Sequence, residues 1–190
     1  MNDGRHADAL ATADRWLAGR RAFAVGVAAL VVAASAQVTV PVPLSPVPMT
    51  LQPLAVIAVG GLLGAAIGGS ALLLYLCLGL LGLPVFAGGS GGLLHVLGPT
   101  GGYLLAFPAA AAVAGRLSGD ARSLVRVLLG CALAMVVIHA GGAAQLALLG
   151  GDAGAALRVG FVPFLTGDLL KIGLAAAVIL GLGPKLRTLL

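Results

Sequence analysis

From Ala22 through Gly115, 94 consecutive residues include no Asp, Glu, Lys or Arg. A soluble domain of that size cannot cover itself with so little charge, because charged and polar side chains carry its solvated surface. Lipid is the solvent that such a run fits. A spanning helix needs about 20 apolar residues to cross roughly 30 Å of hydrocarbon, so six spans take about 120 residues. In a chain of 190 residues, little is left for a soluble domain with chemistry of its own. Composition agrees: 9% of the residues are charged and 60% hydrophobic, against roughly 25% charged in ordinary soluble domains.

The formal charge of +5 does not point to nucleic acid. The basic residues sit at the edges of apolar runs, where membrane proteins carry them, and no stacking aromatics accompany them. Cys77 and Cys131 lie in separate apolar runs without C-x-x-C spacing, so neither a disulfide framework nor a metal site is expected.

The runs predict an all-α integral membrane protein, a bundle of six transmembrane helices. The first runs from Ala22 to Val38 and is followed by Pro41, Pro43, Pro46 and Pro48, a spacing that no continuous helix accommodates. The second runs from Leu51 to Ile67; after Gly68-Gly69-Ser70 a third runs from Ala71 to Leu83 and ends at Pro84. A Gly-rich connection, Ala87 to Gly102, leads to a short fourth span, Tyr103 to Gly115, interrupted by Pro108. The fifth and sixth cover Leu124 to Leu149 and Phe161 to Leu182. The membrane domain is thus residues 22–183, with an N-terminal segment 1–21 and a tail 184–190.

On this reading Arg5, Arg15, Arg20, Arg21, Arg116, Arg122, Arg126, Lys185 and Arg187 fall on one side, and Arg158 alone on the other. The bias places both termini in the cytoplasm of a bacterial or archaeal membrane, and the Pro-rich and Gly-rich connections outside. Arg20-Arg21 before an apolar run, with Ala34-Ser35-Ala36 after it, resembles an export signal with a cleavage site. An uncleaved first helix fits the even span count better.

There is no G-x-x-x-x-G-K-[ST], H-E-x-x-H or G-x-S-x-G, so nucleotide hydrolysis and the commonest hydrolase chemistries lack their signatures. His95, in the Gly-rich connection, and His139, in the fifth span, are isolated and read as hydrogen-bonded packing histidines. Asp168 and Lys171 differ, because a charge inside an apolar span costs on the order of 2.5 to 3.5 kcal/mol. Counted from Phe161, they lie about 10 and 15 Å along the sixth span, and their i, i+3 spacing places both on one face. They read as an ion pair pointing into the bundle, either structural or part of a polar substrate site.

Gly88-Gly89-Ser90-Gly91-Gly92 and Gly98-Pro99-Thr100-Gly101-Gly102 suggest where such a site opens, since backbone approaches a ligand closely at glycine. A helix starting near Gly101 would offer free N–H groups to an anion. On the first span Ala24, Ala28 and Ala36, with Ala29 and Ala33 beside them, form a small-residue face that permits close helix approach, within the chain or to a partner.

From Ala22 to Leu182 the chain resembles the BioY family, the biotin-binding S components of energy-coupling factor (ECF) transporters. The stretches that carry the likeness are Ser35 to Gln52 (SAQVTVPVPLSPVPMTLQ), Gly98 to Tyr103 (GPTGGY) and Gly167 to Lys171 (GDLLK). The resemblance implies a non-enzymatic membrane subunit that captures biotin from outside, and that associates with a membrane coupling protein and two ATPases. It implies no cofactor or metal, biotin being the transported substrate. It further implies Asp168 and Lys171 as ligand contacts, Gln52, Ser90 and Tyr103 as weaker ones, and Ala28, Ala29 and Ala33 as the face that meets the coupling protein. Ser90 stands where some members carry a basic residue, which leaves Lys171, His95 and the N–H groups near Gly101 to meet the biotin carboxylate. The alternative function is a proton-coupled secondary transporter of a small polar solute using Asp168. A small membrane enzyme ranks below both.

Overall fold

In the computed structural model residues 3–43 and 45–190 are described, with side chains from residue 15 onward. Met1, Asn2, the side chain of Arg5 and Leu44 of the Pro-rich motif lie outside that description.

The first helix, α1 (Asp3–Ala36), contains no proline and runs without a break through the Arg20-Arg21 pair. Within it Arg15–Ala36 is apolar and long enough to cross a membrane. Beyond it Thr39–Val40 (β1) pairs antiparallel with Met49–Thr50 (β2), in the register Thr39↔Thr50 and Val40↔Met49. All four prolines of the motif fall between the two strands, where a missing N–H costs no ladder bond.

Helix α2 (Gln52–Leu63) carries Pro53 in its first turn, where proline is tolerated, and stops at Gly64. Gly64 adopts φ +85°, which only glycine reaches without strain, and α3 (Ala65–Leu80) starts immediately after it. The break therefore lies at Gly64 and not at Gly68-Gly69-Ser70 as the sequence reading placed it. Gly68 has another role: a Cβ there would meet Gly60 Cα at 2.8 Å, so it lets α3 lie against α2.

The Gly-rich connection holds a short helix, α4 (Leu93–Leu97). Next come α5 (Gly101–Leu117), continuous through Pro108, and α6 (Leu124–Gly150), which ends at left-handed Gly151. The sequence reading left residues 151–160 as loop, but α7 (Ala153–Gly160) forms there, capped by Asp152. A 3-10 turn (Val162–Phe164) leads into α8 (Leu165–Thr188), which continues through Pro184.

α5 packs on α6, α3 and α2, and α2 packs on α8, so α2 and α5 form the centre of the bundle. Three stretches are apolar and long enough to span a bilayer: Arg15–Ala36, Leu124–Gly150 and Ala153–Thr188; α2, α3 and α5 are apolar but shorter. Large apolar side chains such as Phe23, Leu73, Leu105, Leu148 and Leu169 face outward, as lipid contact requires. At one end of the bundle Arg187 donates to the carbonyls of Gly61 (2.6 Å) and Gly115 (3.2 Å), where α2 and α5 finish. A cation there satisfies carbonyls that the helices cannot. The hairpin, the Gly-rich connection and α7 occupy the other end.

Candidate functional site

A cavity of about 50 Å³ lies at that end, between the starts of α2, α5 and α8 and the middle of α6. Its floor is polar. Asp168 and Lys171 are 4% and 6% exposed, and Lys171 Nζ donates to Asp168 Oδ1 at 3.1 Å. The second carboxylate oxygen, Oδ2, is 2.6 Å from His139 Nε2.

The pair sits at a shallower point on its helix than the count from Phe161 suggested. Because α8 begins at Leu165, Asp168 and Lys171 lie in its first two turns, about 5 and 9 Å along. The carboxylate thereby meets the positive end of the helix dipole, an interaction of about 0.3 to 1 kcal/mol.

Two further residues singled out from the sequence reach the same cavity. Gln52, at the start of α2, donates its amide to the Tyr75 hydroxyl at 2.7 Å and accepts from the Thr50 hydroxyl at 3.2 Å. Tyr103, on α5, donates to the Gly160 carbonyl at 2.6 Å across a contact that Gly142 makes possible, since a Cβ at residue 142 would fall inside the ring. Ser90 does not line the cavity. The turn it belongs to is closed by a Phe86–Ser90 bridge, and its hydroxyl is spent on the Ala87 carbonyl at 2.7 Å.

Sequence reasoning read His139 as packing; the structure buries it beside the carboxylate, facing the cavity. His95 also borders the cavity, stacked on Phe86 at 5.3 Å and 3.1 Å from the Thr100 hydroxyl. Burial lowers its pKa, which favours the neutral ring.

Overhead, the hairpin contributes Val47, Pro48 and Thr50, and the Gly-rich connection contributes Ala87, His95 and Thr100. Two glutamines that the sequence reading did not single out as site residues clasp this roof. Gln37 accepts from Gly89 N (2.9 Å) and donates to Phe86 O (3.2 Å); Gln145 donates to Val96 O (2.9 Å) and Gly98 O (2.5 Å). Consecutive left-handed Gly88 and Gly89 (φ +67° and +69°) give the loop the turn that brings its amide to Gln37.

The alanine face behaves differently from the expectation. Ala28 and Ala29 are 4% and 2% exposed and belong to the chain's own core, with Ala33 half-buried. The outward stripe of α1 is instead Phe23, Val27, Leu30 and Val31. Among the described residues no group of His, Cys, Asp or Glu has metal-binding geometry.

A buried carboxylate and ammonium under a clasped pair of connections could serve several small solutes, and kinship narrows the choice. The BioY family model matches residues 9–188. The chain belongs to the BioY family. Among its BioY relatives, the probable biotin transporter BioY of Pyrococcus horikoshii is 42% identical over 152 residues, spanning 80% of this chain and 90% of that protein. The biotin transporter BioY of Thermotoga maritima is 40% identical over 141 residues, 74% of this chain and 83% of that one. The fold superposes on the crystal structure of the S-component for biotin from an ECF-type ABC transporter with a TM-score of 0.76 and 26% identity, over 90% of this chain and 92% of that one.

Proposed function

We propose that this BioY-family chain is the biotin-binding membrane subunit (S component) of a vitamin uptake transporter, a transport protein and not an enzyme. Membership of the family removes the alternative of proton-coupled secondary transport through Asp168. The observation that carries the reading is the Asp168–Lys171 pair, buried at 3.1 Å on the floor of a cavity roofed by the two family motif stretches, Pro-rich and Gly-rich.

Biotin's cyclic urea matches that floor. An ionised carboxylate accepts from a urea N–H group, and an ammonium donates to the adjacent urea carbonyl. Lys171 uses one of its three N–H groups on Asp168, which leaves two without a protein acceptor among the described residues. Leu104, Phe107, Ile138 and Phe164 supply an apolar wall for the thioether ring and the aliphatic tail. Gln52 and Tyr103 complete the polar edge. Ser90 contributes through the shape of its turn. The cavity volume accommodates only a few waters, so entry of biotin requires the clasped roof to move outward.

The six apolar helices are read as six spans, with both termini in the cytoplasm and the cavity facing outward. Energy comes from an ECF module, a coupling membrane protein with two ATPases. With Ala28 and Ala29 committed to the core, α1 meets that module through the stripe of Phe23, Val27, Leu30 and Val31 beside Ala33.

Isothermal titration of the purified chain in detergent tests the assignment. Saturable one-to-one binding of biotin is expected, with no ATP hydrolysis until the partner subunits are added. Absence of biotin binding by a monodisperse sample would refute it.

A further inference from the structure

His139 reaches across from α6 to the start of α8. Its ring lies among three aromatic side chains, with centroids at 5.0 Å (Phe161), 6.0 Å (Tyr103) and 6.1 Å (Phe164). One nitrogen, Nε2, is 2.6 Å from Asp168 Oδ2; the other, Nδ1, is 3.3 Å from the Gly160 carbonyl, which also accepts the Tyr103 hydroxyl at 2.6 Å.

Lys171 alone cannot fix the plane of the Asp168 carboxylate. Its ammonium is a point charge with rotatable donors on a flexible four-carbon stem. An imidazole has two side-chain torsions, and this one is wedged. The short contact from a second helix therefore sets which way the carboxylate faces, with Gly160 and Tyr103 steadying the ring from behind. With one oxygen held by His139 and the other by Lys171, the carboxylate's remaining lone pairs are free for a ligand's donors.

We propose that His139 is a positioning residue for substrate selection: it orients Asp168 so that the carboxylate accepts one N–H of a cyclic urea while Lys171 donates to the adjacent carbonyl. The contact thereby discriminates against analogues that lack that N–H. This rests on the reading of biotin as the ligand.

The test compares affinity for biotin with affinity for each of the two biotin derivatives methylated on a single urea nitrogen, in the wild-type chain and in His139→Leu, His139→Asn and His139→Gln, each checked by melting temperature. Loss of a hydrogen bond to a charged group is worth roughly ten- to hundred-fold in affinity. His139→Leu is expected to weaken biotin by that factor and to shrink the preference for biotin over the analogue that the wild-type chain binds more weakly. His139→Gln, whose amide N–H spans a similar reach, is expected to restore most of both; His139→Asn, being shorter, is not. A ring that only packs would lower the melting temperature in all three and leave the preference untouched, and that result overturns the proposal. If His139→Leu does not fold, equal preferences in His139→Asn and His139→Gln overturn it as well. Failure of the wild-type chain to bind biotin is a separate outcome, visible before any variant is measured, and it falls on the ligand assignment itself.

Discussion

Asp168 and Lys171 are each nearly inaccessible and 3.1 Å apart, so removing Asp168 strands the ammonium and removing Lys171 leaves the carboxylate with His139 alone. Asp168→Asn and Lys171→Met should both weaken biotin binding. Truncating one partner of a buried charged pair costs about 2 to 5 kcal/mol, or roughly thirty-fold to several thousand-fold in affinity. Calorimetric titration of both single variants and the double variant separates ligand contact from scaffold. A well-folded double variant with near-normal biotin affinity would make the pair structural. These two residues were legible in the sequence because a charge in an apolar run stands out at once. His139 was not, since its partner lies 29 residues away on another helix and no local spacing encodes that approach. Ser90 shows the converse: it sits in the Gly-rich connection that drew attention, yet its hydroxyl is spent within its own turn.

Among the elements, helix starts and stops depend on single residues, and some of those were readable. Gly151-Asp152 combines a left-handed helix stop with a capping carboxylate, a signal for α7 that the surrounding apolar run obscured. Hydrogen bonds from the amides of Ala155 (3.1 Å) and Gly154 (2.7 Å) hold the Asp152 carboxyl below its ordinary pKa. A carboxylate with a lowered folded-state pKa stabilises fully above its unfolded value, near pH 4, and the contribution is lost as pH falls through the lower folded value. Asp152→Ala should therefore speed amide exchange at residues 154 and 155 at neutral pH, and the difference from wild type should vanish in acid. Unchanged exchange at pH 7 would show that α7 holds without its cap. The small-residue face of α1 was also legible, but the surface it serves was not: alanine permits close approach by the chain's own helices as readily as by a partner. With Ala29 at 2% exposure, Ala29→Leu overpacks the core and should cost about 1 to 3 kcal/mol of stability. Leu30→Ala should leave the fold intact and reduce co-purification with the coupling subunit. A stable Ala29→Leu chain that loses its partner would return the docking role to the alanines.

Across the whole molecule, six apolar helices were foreseeable from runs of hydrophobic residues, although only three of the stretches reach the length that hydrocarbon thickness asks of a span. The joint at Gly64 was not, since Gly60, Gly61, Gly64, Gly68 and Gly69 all lie in one apolar stretch and only packing decides which of them breaks the helix. The proposed orientation is argued from charge. Nine of the ten Lys and Arg residues other than Lys171 fall on one side in the six-span reading, and the structure draws two of them together there, Arg187 against the ends of α2 and α5 and Arg21 against the Leu190 carbonyl at 2.9 Å. Arg158 stands apart on α7, with its side chain 74% exposed, beside the cavity end. Single-cysteine labelling in intact cells tests this arrangement, in a background where Cys77 is replaced by serine and Cys131 is left in place because it is buried. Arg158→Cys should react with a membrane-impermeant maleimide from outside, and Arg116→Cys only after the cells are opened. Labelling of both from the same side would break the six-span topology. Labelling with the sides exchanged would keep the fold and turn the cavity toward the cytoplasm, where it could not capture biotin from the medium.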